Sequence, residues 1–123
     1  MSVRPIVHIE IPSNNDKTAK AFYSDLCGWN VNEIPFGEDN VYVQFETGNV
    51  DVALSTMDDD DNQAGKALLY FDSNDLEADM AKVKELGGTV VLPRQNIEGF
   101  GAYGIFLDPM GNRVAFWQSD HPS

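Results

Sequence analysis

A chain of 123 residues suits one compact domain with a sizeable core, and 42% hydrophobic with 23% charged residues is ordinary for a globular protein. Eight Lys and Arg against 20 Asp and Glu give a formal net charge of −12, which disfavours nucleic acids and anionic membrane surfaces as partners. No apolar run approaches the roughly 20 residues that a membrane span requires.

Two further features concern the compartment. The N-terminal stretch MSVRPIVHIE reaches a strand-like segment without a secretory signal, and Cys27 is the only cysteine, so no internal disulfide can form. We therefore expect a cytoplasmic protein.

The first half of the chain predicts one strand, one helix and three further strands. Apolar and polar residues alternate over residues 7–11, which predicts a strand that Pro12 ends. The polar cluster SNND then predicts the start of a helix at about residues 17–27, which Gly28 ends. Cys27 is interpreted as a packing residue, and strands are expected at 29–35, 41–46 and 50–55. The helix face expected to pack on the sheet comprises Thr18, Ala19, Phe22, Tyr23 and Leu26.

An acidic stretch, MDDDDNQAG, separates this half from the next. Adjacent aspartates repel one another and stay hydrated, so about residues 58–65 are predicted to be a linker. The run lacks the alternating acidic positions, interior glycine and later glutamate of a calcium loop.

After the linker the same pattern starts again. A strand at 67–72 precedes the cap cluster SND, and Leu76, Met80 and Val83 mark a helix that ends at Gly87-Gly88. A strand follows at 89–93. The last two strands, 102–107 and 113–117, flank the turn DPMGN, in which Asp108 can accept hydrogen bonds from the backbone. Three glycines around the start of this hairpin allow bending or a close backbone approach: Gly99, Gly101 and Gly104.

The two halves are an internal repeat. IVHIEIPSNND and ALLYFDSNDLE share the order strand, Ser-Asn cap and helix, about sixty residues apart, and three strands follow each. The chain is therefore predicted to be α+β, with two β-α-β-β-β modules at about residues 5–57 and 66–119 in a single domain, 1–123. Together the modules are expected to form a curved, partly open eight-stranded sheet with a cleft.

Strand alternation predicts two different sheet faces. The apolar face, expected under the helices, carries Ile9, Ile11, Val41, Val43, Phe45, Val52, Leu54, Leu69, Phe71, Val114 and Phe116. The opposite face is mixed, and its residues predicted to bind a ligand are His8, Glu10, Tyr42, Gln44, Ala53, Leu68, Tyr70, Ala115 and Trp117. A solvated face, or one covered by a partner subunit, is the alternative interpretation.

VHIEIP…AFYSDLCGWNV in the first module and FLDPMGNRVAFW in the second give the chain a family resemblance. The chain resembles the vicinal-oxygen-chelate superfamily, which includes glyoxalase I, extradiol dioxygenases and bleomycin-resistance proteins. The resemblance covers nearly the whole chain. It implies paired β-α-β-β-β modules that enclose an open cleft, and a homodimer, which many members of this length form.

The resemblance also bears on metal binding. Metal-dependent members similar to glyoxalase I hold a divalent ion through residues on the first and fourth strands of each module. Those positions fall on His8, Ala53, Leu68 and Ala115, and only His8 has a side-chain donor. We therefore expect no metal and no other cofactor. A displaced divalent site built from His8, Glu10, Gln44 and Tyr70 remains the alternative.

The resulting functional prediction is a glyoxalase-like, metal-free protein, similar to bleomycin-resistance proteins, that binds a small apolar or aromatic molecule in the cleft. The alternative is a metal-dependent lyase, isomerase or dioxygenase related to lactoylglutathione lyase, with a displaced site. A third possibility is a dimeric partner-binding module with a filled cleft. The sequence leaves open whether any reaction is catalysed, because His8 and Glu10 share a face but cannot be assumed to pair.

Overall fold

The computed structural model describes residues 3–36, 38–58 and 60–120, without the side chain of Phe36. Gly37, in a predicted turn, and Asp59, in the predicted linker, therefore lie outside the described residues. The described elements, in chain order, are β1 (Ile6–Ser13), α1 (Asp16–Cys27), β2 (Asn30–Phe36), β3 (Asn40–Glu46), β4 (Asp51–Thr56), β5 (Leu68–Asp72), α2 (Leu76–Glu85), β6 (Thr89–Ile97), β7 (Gly101–Leu107) and β8 (Arg113–Ser119).

The described residues form two compact units. One comprises residues 8–67, and the other comprises residues from Leu68 onward together with the N-terminal segment up to Val7. In the first unit the strand order is β2-β3-β4-β1, with β1 parallel to β4 and the other pairs antiparallel. In the second the order is β5-β8-β7-β6, with β5 parallel to β8 and the other pairs antiparallel. The predicted α+β class and the two β-α-β-β-β modules are confirmed.

The repeated cap clusters begin the two helices in the same way. The side chain of Asn15 accepts a hydrogen bond from the Thr18 N–H at 3.1 Å, and sixty residues later that of Asp75 accepts one from the Ala78 N–H at 3.1 Å. Gly28 ends α1 in the left-handed conformation, with φ of 71°. Both N-caps predicted from the repeat are therefore present.

The apolar strand faces pack as the alternation predicts. In residues 8–67 the buried cluster is Val43, Phe45, Val52 and Leu54, with Ile9 and Ile11 against it. In the second unit Leu76, Met80, Ala102, Phe106 and Phe116 are buried, with Phe71 and Val114 against them. Val41 is an exception, because it is 46% exposed near the start of β3.

The predicted packing face of α1 is partly wrong. Only Ala19 and Tyr23 pack against the cluster, whereas Phe22 is 58% and Leu26 is 69% exposed. Tyr23 stacks on Trp29, and both rings contact Phe45, which leaves Phe22 and Leu26 outside the cluster. Cys27, at the end of the helix, is also exposed and not a packing residue.

Three prolines lie within strands: Pro12 in β1, Pro35 in β2 and Pro93 in β6. Pro12 does not end β1, because the strand continues to Ser13 and Pro12 pairs with Ser55 of β4. A strand residue offers its N–H to only one side, so a proline can stay in register where no donor is needed. β6 likewise continues through Pro93 to Ile97, with register shifts between Val90 and Leu92 and between Leu92 and Gln95.

The N-terminal segment is attached to the second unit through Arg4. Its guanidinium donates hydrogen bonds to the backbone oxygen of Asp72 and to the Asp79 carboxylate, and lies 5.1 Å from the centre of the Phe116 ring. Burial alone would raise the pKa of Asp79, but the hydrogen bonds from Arg4 and Ser73 outweigh it and hold that pKa below its usual value. This ion pair explains why the first residues belong with α2.

The linker and the last turn agree with the sequence. The described residues of the predicted linker contain no helix or strand, and the Lys66 ammonium donates a hydrogen bond to the Asp60 backbone oxygen at 2.7 Å. In the final turn, Asp108 Oδ1 accepts hydrogen bonds from the backbone N–H groups of Met110 and Asn112.

Across residues 3–36, 38–58 and 60–120, neither helix has the length and apolar character needed to cross a membrane.

Candidate functional site

The candidate site is the mixed sheet face of residues 8–67. Parallel pairing of β1 with β4 places His8 opposite Asp51 and Glu10 opposite Ala53. Antiparallel pairing of β3 with β4 places Gln44 opposite the same Ala53. Paired strand residues point to the same side of a sheet, so Glu10, Ala53 and Gln44 form one row across three strands. Five of the predicted ligand residues (His8, Glu10, Tyr42, Gln44 and Ala53) therefore lie on one surface.

Tyr42 joins the two ionisable side chains of β1. Its hydroxyl oxygen lies 2.9 Å from His8 Nε2 and 3.4 Å from Glu10 Oε2. His8 Nε2 and Glu10 Oε2 are 3.7 Å apart, and the His8 and Tyr42 rings are stacked with centroids 6.4 Å apart. The His8 and Glu10 side chains are 18% and 21% exposed. The three groups thus form a compact, half-buried polar cluster, which we call the His8–Tyr42–Glu10 cluster.

The phenol of this cluster holds its proton firmly. Burial raises the pKa of Tyr42 far above its usual value, and the negative charge of Glu10, its hydrogen bond and the charge of Asp51 raise it further. Tyr42 is therefore a neutral phenol at physiological pH. The single O–H of this neutral phenol donates to Glu10 Oε2, and its oxygen also lies within hydrogen-bond distance of His8 Nε2.

Asp51 is the residue of this site that the ligand prediction omitted. It pairs with His8 in register, and its negative charge contributes to the raised pKa of Tyr42. The signal was present in the alternation, because Asp51 lies two residues before Ala53 and so shares its face.

Register shows that the two alanines occupy equivalent places. Ala53 of β4 pairs with Glu10 of β1, and Ala115 of β8 pairs with Tyr70 of β5, about sixty residues later. Both alanines are fully buried. The metal-ligand positions implied by the family resemblance thus hold methyl groups in both modules.

The donor set does not fit a divalent ion of the glyoxalase I kind. Of the four implied positions, Ala53, Leu68 and Ala115 are hydrocarbon, and a divalent ion needs several N, O or S donors. Among residues 3–36, 38–58 and 60–120, no three His, Cys, Asp or Glu side chains are grouped to hold a metal.

The other four predicted ligand residues lie together in the second unit. Leu68, Tyr70 and Ala115 form a buried apolar cluster with Ile105, and half-buried Trp117 and Tyr103 pack against it. The Tyr70 and Tyr103 rings meet edge to face, with centroids 6.3 Å apart. These four residues share a surface that is apolar, in contrast to the His8–Tyr42–Glu10 cluster. That they contact a ligand remains a prediction.

A groove of about 270 Å³ lies on the helix side of residues 8–67. Its lining includes Ile11, Ser13, Thr18, Phe22, Leu54 and Met57. Ile11 and Leu54 belong to the apolar face of their strands, so this groove is separate from the candidate site. The sequence did not predict it, because Phe22 was expected to pack against the sheet.

The family comparison matches most of the chain. A model of the Glyoxalase/Bleomycin resistance protein/Dioxygenase superfamily matches residues 5–116. A Mycobacterium bovis protein named "Putative glyoxylase CFP32" is 27% identical over 116 residues, which cover 91% of this chain and 44% of that protein. The chain therefore spans less than half the length of this curated relative.

Two solved structures share the fold. The hypothetical protein BH1468 from Bacillus halodurans superposes with a TM-score of 0.78 at 12% identity, covering 99% of each chain. Methylmalonyl-CoA epimerase from Mycobacterium tuberculosis superposes with a TM-score of 0.72 at 14% identity, covering 94% of this chain and 88% of the epimerase. At these identities the likeness concerns the fold alone.

Proposed function

The chain belongs to the Glyoxalase/Bleomycin resistance protein/Dioxygenase superfamily, and from this premise we propose that it binds a small, largely apolar or aromatic molecule without a metal ion. The proposed binding surface is the sheet face that carries the His8–Tyr42–Glu10 cluster and Gln44. Ligand sites typically combine apolar surface with a few convergent polar groups that fix orientation. Here the stacked His8 and Tyr42 rings offer a flat surface, and Glu10 and Gln44 flank the small Ala53.

The observation that carries this proposal is the pair of alanines. Ala53 and Ala115 stand at equivalent register positions of the two modules, each fully buried and each without a donor atom. A methyl group occupies less volume beside Glu10 and Gln44 than a metal-ligating side chain would. The arrangement therefore favours holding a ligand by contact and hydrogen bonds over coordination.

Equilibrium binding tests the proposal. A panel of flat aromatic metabolites and amphipathic cations would be titrated calorimetrically, with and without a chelator, and we expect at least one to bind equally well in both conditions. Ala53→Leu should weaken that binding by roughly tenfold, because the larger side chain displaces the neighbouring Glu10 and Gln44 side chains. Glu46→Gln, at the exposed end of β3, is the matched control and should bind as wild type does. Binding that requires metal, or none across the panel, would contradict the proposal.

The proposed assembly is a homodimer in a reducing cytoplasm. The support for dimerisation is the family resemblance, and the support for the compartment is that Cys27 is the only cysteine and is exposed. Sedimentation equilibrium at several concentrations measures the assembly, and a mass of one chain throughout would contradict a dimer.

A metal-dependent enzyme is the second candidate, favoured by one observation. His8 Nε2 and Glu10 Oε2 lie 3.7 Å apart and could supply two donors of a displaced site. Elemental analysis of protein purified without chelator separates the candidates. Stoichiometric Zn, Ni, Fe or Mn that is lost in His8→Ala would favour the enzyme.

A further inference from the structure

Gln44 lies in the middle of a row of side chains on the candidate site. Strand register places it opposite Ala53 of β4 on one side and opposite Asn32 of β2 on the other, and Ala53 in turn pairs with Glu10 of β1. Paired strand residues point to the same side of a sheet, so all four side chains lie on one face. Three of the four carry polar groups that a ligand can contact.

The polar groups on either side of Gln44 have protein partners. Asn32 Nδ2 donates a hydrogen bond to Glu46 Oε1 at 3.0 Å, and Glu10 Oε2 accepts one from the Tyr42 hydroxyl at 3.4 Å. In the part of the chain that the structure describes, the Gln44 amide has no such partner. The same part contains no buried side-chain N or O atom that lacks a hydrogen bond, so the half-buried Gln44 amide is reachable from solvent.

An amide without a protein partner suits a particular kind of ligand edge. Its carbonyl oxygen accepts and its NH₂ group donates, side by side in one plane. The complementary edge carries an acceptor next to an N–H donor, so that two hydrogen bonds form together, as when glutamine recognises adenine in DNA. A lactam ring has this edge, because its C=O and N–H groups point the same way.

The neighbouring rings favour a flat ligand. Tyr42 precedes Gln44 by two residues on β3, which places their backbones about 6.5–7 Å apart on the same face. The His8 and Tyr42 rings are stacked, with centroids 6.4 Å apart. A bicyclic heteroaromatic molecule is long enough to contact the Tyr42 ring with its body and the Gln44 amide with its edge.

We propose that Gln44 is a specificity-determining residue that selects a planar heteroaromatic ligand with a lactam-type edge. This inference rests on the proposed metal-free function and deepens it by naming the class of ligand. The amide discriminates against an analogue that lacks the lactam group, because that analogue covers the half-buried amide without replacing its hydrogen bonds to water.

Matched bicyclic probes test the proposed ligand class. Isocarbostyril is a flat bicyclic lactam, and isoquinoline has the same rings with one acceptor nitrogen and no donor. In calorimetric titrations of the full chain with a chelator present, isocarbostyril should bind about 3–10-fold more tightly, the equivalent of one net hydrogen bond. Gln44→Met keeps the length of the side chain and should remove this preference. Gln95→Met, on β6 of the second unit, is the matched control and should keep it.

Thermal unfolding gives a readout that needs no ligand. Because the Gln44 amide has no partner among the described residues, Gln44→Met should leave the Tm unchanged or raise it by up to about 5 °C. The same substitution at Gln118 removes an oxygen that accepts a hydrogen bond from the Leu76 N–H at 2.8 Å, so Gln118→Met should lower the Tm by about 3–8 °C. A structural role for Gln44 would give the two variants similar losses.

The outcomes separate this proposal from the metal-free function. The role of Gln44 is wrong if isocarbostyril binds no more tightly than isoquinoline, if neither probe binds, or if Gln44→Met keeps the preference. It is also wrong if Gln44→Met loses as much thermal stability as Gln118→Met. In each of these cases the broader panel of ligands still decides the metal-free function. Binding of isocarbostyril that appears only when zinc is added would contradict both proposals together.

Discussion

At the scale of single residues, Tyr42 links groups that the sequence could only place on one face. His8 and Glu10 are two residues apart on β1, too far to be assumed partners from the chain alone. The Tyr42 hydroxyl from β3 lies 2.9 Å from His8 Nε2 and 3.4 Å from Glu10 Oε2, so it joins the two side chains in one polar cluster. Its proton is held by burial and by neighbouring negative charge. The same forces that make it a hydrogen-bond donor also give the folded protein a distinctive response to alkaline pH.

Stability should fall above about pH 10 because of Tyr42. An unfolded tyrosine ionises near pH 10, whereas the pKa of folded Tyr42 is raised well above that. The stabilising contribution is therefore complete below about pH 10 and is lost as the pH rises above it, with a slope approaching 1.4 kcal/mol per pH unit, an order-of-magnitude figure. Urea unfolding followed by fluorescence at several alkaline pH values measures the slope. Tyr42→Phe should lack this contribution, so a constant stability difference between the two proteins would contradict it.

At the scale of elements, β7 shows how a glycine permits close strand packing. Gly101 pairs with Ile97 of β6 on one side and with Ser119 of β8 on the other. A Cβ atom at Gly101 would overlap the backbone oxygen of Gln118, whereas one at Gly104 would meet the end of the Met80 side chain. The close approach expected from the sequence is present at both positions. At Gly101 the nearest neighbour is backbone, whereas at Gly104 it is the flexible end of Met80, with the Leu92 backbone oxygen farther away at 3.1 Å.

Substitutions at these two glycines should differ in cost. Gly101→Ala should destabilise the fold by about 1–3 kcal/mol or more, because strand backbone must move to admit the methyl group. Gly104→Ala should cost less, because Met80 can change rotamer. Chemical denaturation of both variants beside wild type measures the difference. If Gly101→Ala lowers the free energy of unfolding no more than Gly104→Ala does, the backbone of β8 moves easily at Gln118.

At the scale of the whole molecule, charge is the dominant feature. The chain carries a formal net charge of −12, and the ion pairs Arg4–Asp79, Lys20–Glu33 and Arg94–Glu77 engage some of its eight basic residues. The excess carboxylates repel one another across the surface, which costs stability in the folded state. Exposed ion pairs contribute little in return.

Added salt should therefore stabilise this protein. Screening weakens the repulsion over a Debye length of about 8 Å at physiological ionic strength, so raising sodium chloride from a few millimolar should raise the Tm by about 2–5 °C. Thermal unfolding by circular dichroism checks this, with potassium chloride as a control for ion identity. A Tm that falls with salt would mean that attractive pairs outweigh the repulsion.

The sequence by itself determined the elements, the repeated caps at Asn15 and Asp75, the apolar strand faces and the alanines in the implied metal positions. The first three depend on local periodicity and cap chemistry, which neighbouring residues along the chain specify, whereas the alanines were placed by the family resemblance. Only the tertiary structure decided that β1 continues through Pro12, that Phe22 and Leu26 of α1 stay exposed, and that the Tyr42 hydroxyl reaches His8 Nε2. Each of these depends on strand register, side-chain rotamer or competition for space around Phe45, which bring together residues distant in sequence and leave no periodic trace in the chain.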